Sequence, residues 1–189
     1  MNIVLIGYRG TGKSVVGAEI AGRLDMDCVS MDARIVEKAG TSIPQIVERD
    51  GWSKFRDMET DVARELSEQD HLVIDTGGGV IERPENMAAL KTNACVVWLK
   101  ASVDVIVSRI ADGNERPALT SGKGFTEEVA EVLERRLPKY KAAAQYEIDT
   151  DDLSIAQIAE KVMACCCQHQ GFRNNDGGRS RSSYASKSI

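Results

Sequence analysis

The chain has 189 residues, 42% hydrophobic and 28% charged, the size and balance of one globular domain with one core. A formal net charge of −5 argues against general affinity for nucleic acid or anionic membranes, and no run approaches the ~20 apolar residues of a membrane span. Five cysteines without paired spacing and two histidines, His71 and His169, argue against a disulfide framework, a histidine-rich metal site and a histidine base.

Residues Asn2–Ile6 contain the apolar run Ile3-Val4-Leu5-Ile6 and read as a buried strand. The run has no basic leader and no cleavage pattern, so it is not a signal peptide and cytoplasmic residence is expected. Residues 7–14, Gly7-Tyr8-Arg9-Gly10-Thr11-Gly12-Lys13-Ser14, match G-x-x-x-x-G-K-[ST] with no mismatch and lead into an amphipathic stretch, 13–24. A glycine-rich turn with a chance lysine would share the letters but not this strand-to-helix setting. Glycines let backbone N–H groups wrap phosphates, and the helix N-terminus adds partial positive charge. On this reading Gly10, Thr11, Gly12 and Val15 contact ATP, Lys13 bridges its β- and γ-phosphates, and Ser14 ligates Mg²⁺.

Asp27–Ser30 is a weaker second strand, followed by a helical stretch at 32–39. A longer helical pattern with breaks spans 43–69. Within it Arg56 and Glu59 stand i, i+3 on one face. Glu59 then either holds Arg56 for a substrate carboxylate or forms an ordinary solvated ion pair with it. A third strand covers 72–74, Asp75 ends it, and Thr76-Gly77-Gly78-Gly79 follows. Ligands bind at this carboxyl edge of an open parallel sheet, and three glycines let a ligand approach bare backbone. Asp75 after Leu72-Val73-Ile74 has the form of a second metal motif and is a candidate Mg²⁺ ligand; capping the glycine turn is the alternative.

Helical stretches at 84–91 and 102–111 flank a fourth strand at 94–99. Residues 112–124 are rich in Gly, Pro and charge and contain Asn114-Glu115-Arg116-Pro117; such a segment is either plain surface or a mobile lid. The helical stretch 126–145 contains Arg136-Leu137-Pro138-Lys139-Tyr140. Tyr146–Asp149 is a fifth strand, and 154–167 a last helix. Thr150 and Asp151 read as a helix cap, Trp52, Trp98, Met26 and Met58 as packing residues, and Cys165, Cys166 and Cys167 as a fraying helix end. From Gln168 onward the chain has too few apolar residues to pack and is expected to be a disordered tail. Strand–helix alternation of this kind predicts an α/β fold, a parallel sheet with helices on both faces, over residues 1–167.

The phosphate loop points to a nucleotide-dependent kinase but says nothing of the acceptor. Taken in order and spacing, residues 7–14, Asp32, 55–59, 76–79, Arg116-Pro117 and 136–140 resemble the shikimate kinase family, and the resemblance runs from residue 1 to about 165. It implies a three-layer P-loop kinase with a five-stranded parallel sheet in the order 2-3-1-4-5 and a lid at about 112–124. It also implies a monomer that moves the γ-phosphate of MgATP to the 3-hydroxyl of shikimate, on the route to chorismate and the aromatic amino acids. By similarity, Asp32 hydrogen-bonds the accepting hydroxyl and takes its proton. Arg56 and Arg136 clamp the shikimate carboxylate, with backbone contacts from Gly78 and Gly79. Arg116 closes with the lid onto the transferring group, and Arg109 stacks on adenine. The segment 149–155 is a looser match that would line the adenine side, the helix cap at Thr150 and Asp151 being the favoured alternative.

The family usually carries D-x-D after its second strand; this chain has Ser30-Met31-Asp32, so the first carboxylate is missing. Another small polyol or sugar acid, such as gluconate, is the alternative acceptor. A ligand-binding relative without turnover is the third reading, against which the retained Lys13, Ser14, Asp32, Arg56, Arg116 and Arg136 argue.

Overall fold

A computed structural model of the protein describes residues 1–111 and 124–169. The expected lid with Arg116, and the tail beyond His169, lie outside the described residues.

Five parallel strands form one sheet in the order β2-β3-β1-β4-β5, as expected. They are β1 (Asn2–Ile6), β2 (Asp27–Ser30), β3 (Leu72–Asp75), β4 (Ala94–Lys100) and β5 (Tyr146–Asp149). Side chains alternate across a strand, so β1 sends Val4 and Ile6 to one face and Ile3 and Leu5 to the other, and all four are fully buried. This is why β1 reads as an unbroken apolar run. Each face is covered by helices of its own. Val4 and Ile6 meet α2 (Met31–Ala39), α3 (Ile43–Ser67), α4 (Pro84–Lys91) and the last turns of α6 (Phe125–Ala143). Ile3 and Leu5 meet α1 (Lys13–Leu24) and α7 (Ile155–Gln168). A third, smaller cluster packs Tyr8 against Ile106 of α5 (Val103–Ala111) and Val129 and Val132 of α6.

Three local features matter for the site. The breaks expected in 43–69 reduce to one: Gly51, at φ 82° and ψ 167°, bends α3 and starts a new helical direction at Trp52. Pro138 sits inside α6 without ending it, and the helix runs on to Ala143. α7 begins at Ser154, whose hydroxyl accepts from the Gln157 N–H while the Gln157 side chain accepts from the Ser154 N–H.

That capping pair corrects the role expected for Thr150 and Asp151. The Asp151 carboxylate instead accepts from the Ser102 N–H at 2.9 Å, ahead of α5. The end of α7 also departs from expectation. Cys166 is fully buried in the core beside Ile3, so the last turn is packed rather than frayed. Tertiary burial of one thiol overrides the weak end signals of the sequence.

Candidate active site

The site lies at the carboxyl edge of β1, β2 and β3. The loop after β1 reaches α1 through Gly10 (φ 83°) and Gly12 (φ 89°), both left-handed, a conformation that costs a side chain dearly. The Tyr8 carbonyl gathers the loop: it accepts from the Thr11 N–H at 3.3 Å, the Thr11 hydroxyl at 2.8 Å and Lys13 Nζ at 3.1 Å. Lys13 is thereby folded over the loop at the N-terminus of α1, where loop N–H groups and helix dipole both favour an anion. The next residue, Ser14, donates its hydroxyl to Asp75 Oδ2 at 2.5 Å.

A cavity of about 740 Å³ opens over this loop, lined by Gly10, Lys13, Ser14, Asp75 and Arg109 among others. Val15 lines it from the first turn of α1. Thr11 does not; it is buried, and its hydroxyl closes the loop. Arg109 donates to the Thr150 hydroxyl at 3.2 Å, to the Thr150 carbonyl at 2.9 Å and to the phosphate-loop Gly10 carbonyl at 3.4 Å. Thr150 therefore anchors an arginine at the rim, a role its sequence context does not reveal.

A second cavity, about 800 Å³, lies beside the first and is lined by Trp52, Phe55, Arg56, Glu59, Gly79 and Arg136. Asp32, Gly77 and Gly78 line both cavities. The Asp32 carboxylate thus stands where the two meet.

Two arginines of the second cavity, Arg56 and Arg136, are each held by a carboxylate. Arg56 Nη1 donates to Glu59 Oε2 at 2.7 Å, and its guanidinium lies 5.0 Å from the Phe55 ring and 5.6 Å from Trp52. Glu59 is 1% exposed and Arg56 only partly exposed, so the carboxylate of the pair is buried rather than solvated. Burial pushes the Glu59 carboxyl above its usual range, with the Arg56 charge and hydrogen bond opposing. Arg136 Nε donates to Glu82 Oε1 at 2.7 Å, and its Nη1 to the Gly78 carbonyl at 3.2 Å. Burial works against ionising Glu82, but hydrogen bonds and charge from Lys139 and Arg136 outweigh it and hold the carboxyl down at about 2. Tyr140 donates to the same Gly78 carbonyl at 2.5 Å and stacks on Trp98. Burial raises its hydroxyl pKa, so it stays a donor.

The three glycines make room for three different parts of the site. A Cβ at Gly77 would lie 2.7 Å from Asp32 Oδ1, one at Gly78 3.3 Å from the Arg9 N, and one at Gly79 2.5 Å from Arg56 Nη1. Gly78 turns its carbonyl to α6, where Arg136 and Tyr140 use it.

The structure brings together Gly10, Gly12, Lys13, Ser14, Val15, Asp32, Arg56, Asp75, Gly78, Gly79, Arg109 and Arg136 along two adjoining cavities. Arg116 lies outside the described residues. Two functional neighbours escape sequence reading. Glu82 is 54 positions from Arg136, and nothing local announces it. Trp52, read as packing, is 50% exposed and lines the second cavity; its place one turn before Arg56 was the available signal. Trp98, Met26 and Met58 pack as expected.

The donor set suits a hard cation that brings its own oxygens. Ser14 and Asp75 offer a hydroxyl and a carboxylate beside a phosphate loop, and Mg²⁺ uses one or two such protein ligands with phosphates and water. Among the described residues no group of three or more His, Cys, Asp or Glu forms a metal cage.

The model of one protein family, described as shikimate kinase, matches residues 9–167. A shikimate kinase from Nitratidesulfovibrio vulgaris is 39% identical over 165 residues, covering 86% of this chain and 93% of its own. One from Caldicellulosiruptor bescii is 37% identical over 163 residues, covering 86% and 94%. Among solved structures, a shikimate kinase from Acinetobacter baumannii in complex with shikimate matches with a TM-score of 0.80 at 34% identity, over 86% of this chain and 90% of that one.

Proposed function

The chain belongs to the shikimate kinase family, and from that premise we propose that it transfers the γ-phosphoryl group of ATP to the 3-hydroxyl of shikimate where its two cavities meet. One observation carries the assignment of sides. Asp32 lines both the cavity over the phosphate loop and the cavity with Arg56 and Arg136.

Phosphoryl transfer asks mainly for positioning and charge neutralisation. The loop N–H groups and Lys13 bind and neutralise the nucleotide phosphates. Mg²⁺, when bound, spreads the charge of the β- and γ-phosphate oxygens, and Ser14 with a neighbouring carboxylate would hold it. Arg56 and Arg136 are planar and permanently charged, and suit a carboxylate better than lysines. Their partners, the buried Glu59 and the half-buried Glu82, hold both guanidiniums at the wall of the second cavity, so little is lost in ordering them when shikimate binds. Asp32 orients the acceptor hydroxyl and takes its proton as the bond to phosphorus forms. Arg109, tied to Thr150, faces the nucleotide base. Arg116, outside the described residues, is the further arginine that would complete the charge balance over the transferring group. The products are shikimate 3-phosphate and ADP, on the route to chorismate and the aromatic amino acids. A cytoplasmic location is the reading that five free thiols support.

The test is ADP release from MgATP by the purified protein, with shikimate, gluconate, a nucleoside monophosphate or no acceptor. Turnover with shikimate alone is expected. Turnover with gluconate instead, or none with shikimate while MgATP is bound, overturns the proposal. Arg136→Ala is expected to raise the shikimate KM about 10- to 100-fold, the worth of a charged hydrogen bond of about 1.5–3 kcal/mol. The KM for ATP should stay within about twofold.

A further inference from the structure

We infer that Asp75, at the end of β3, supplies the protein carboxylate for the nucleotide-bound Mg²⁺. The inference rests on reading the phosphate-loop cavity as an MgATP site.

Four observations carry it. First, position 30, at the end of β2, holds no carboxylate. Ser30 is the N-cap of α2, and its hydroxyl is engaged by the Ala33 N–H at 3.3 Å. Second, β2 and β3 run parallel in register, and the partner of Ser30 is Asp75. The carboxylate therefore sits one strand nearer β1, about 4.8 Å along the sheet.

Third, Asp75 faces the phosphate loop. Paired residues of parallel strands share a face, and two residues earlier Cys28 and Val73 both lie against Gly17 of α1. Asp75 continues that row to the start of the same helix, where its Oδ2 accepts from the Ser14 hydroxyl at 2.5 Å. A phosphate-loop serine with a carboxylate from the end of the neighbouring strand is a pair that holds Mg²⁺ in P-loop enzymes. Fourth, the other carboxylate in the cavity has different work. Asp32 Oδ1 lies against Gly77, at the junction with the acceptor cavity. Asp75 is 8% exposed, lines the phosphate cavity and is absent from the lining of the other. One carboxylate serves the metal and one serves the acceptor.

The experiment measures Mn²⁺ binding to the full-length protein–ADP complex by the electron paramagnetic resonance signal of free Mn²⁺, without turnover. The chains compared are the native one, Asp75→Asn, Asp75→Ser, and Ser30→Asp combined with Asp75→Ser. Both single variants keep an acceptor for the Ser14 hydroxyl, so either one that folds decides the case. Expected is a loss of Mn²⁺ affinity of about 10- to 100-fold in the single variants, each measured at saturating ADP. Recovery of most of that loss is expected in the double variant, because it places a carboxylate at the paired position of the adjacent strand end. Native Mn²⁺ affinity in either single variant that folds overturns the inference and leaves the kinase reading intact; Asp75 then only positions Ser14. A native protein that binds neither ADP nor Mn²⁺–ADP overturns both.

Discussion

At position 79 a methyl group would sit 2.5 Å from Nη1 and 2.7 Å from Cζ of Arg56. The atoms it meets are the far end of a long side chain, so the chain still folds and the guanidinium is what moves. Gly79→Ala is expected to raise the shikimate KM about tenfold, the loss of one charged hydrogen bond, with kcat largely kept. At position 77 the same methyl would press on Asp32 Oδ1, and there a loss in kcat of up to about 100-fold is expected, because misplacement by an ångström costs that much in positioning. Steady-state kinetics of the two variants separates the roles. The triple glycine announces a close approach in the sequence. Which neighbour approaches each glycine depends on α2, α3 and the phosphate loop, and no sequence spacing encodes that.

At the scale of elements, the short 3₁₀ turn Val80–Glu82 and α6 are tied through Glu82, which accepts from Arg136 Nε at 2.7 Å and from Lys139. Lys139 and Arg136 lie i, i+3 on α6, so one carboxylate braces one helix face. Glu82 has its folded pKa near 2, below the ordinary 4.5. A depressed carboxyl contributes stability that is fully present above its unfolded pKa and is lost as pH falls through the folded one. The window is therefore about pH 4.5 down to about 2. Glu82→Gln is expected to cost about 1 kcal/mol at pH 7 after solvent screening, or about 2–4 °C in Tm. The gap to the native protein should narrow through that window, as thermal melts across the acid range would read. A gap independent of pH would mean that the tie works through packing. The resemblance to the family implies a carboxylate for the arginine of 136–140, but the brace that arginine receives from 54 residues away is announced by nothing in the sequence.

For the whole molecule, the central strand β1 joins the two cores and the site. Leu5 is fully buried, pairs in register with Asp75 and Val97, and packs among α1 and α7. Leu5→Ala removes apolar contact and leaves a cavity, with an expected cost of about 2–5 kcal/mol and a Tm lower by roughly 5–15 °C. Differential scanning calorimetry would measure it, and a change under about 2 °C would show that the core relaxes into the space. The sequence by itself determined the phosphate loop, because its groups are contiguous and its left-handed glycines and helix start are local demands. It determined the layered parallel sheet through alternating apolar runs, and the Arg56–Glu59 pair through helical spacing. The tertiary structure alone decided that the carboxylate of this pair is buried, that Glu82 braces Arg136, and that Asp75 rather than residue 30 meets Ser14 across 61 positions. The reason is geometric: strand order and register bring distant segments within hydrogen-bond reach, and the chemistry of the site is set by those distances rather than by separation along the chain.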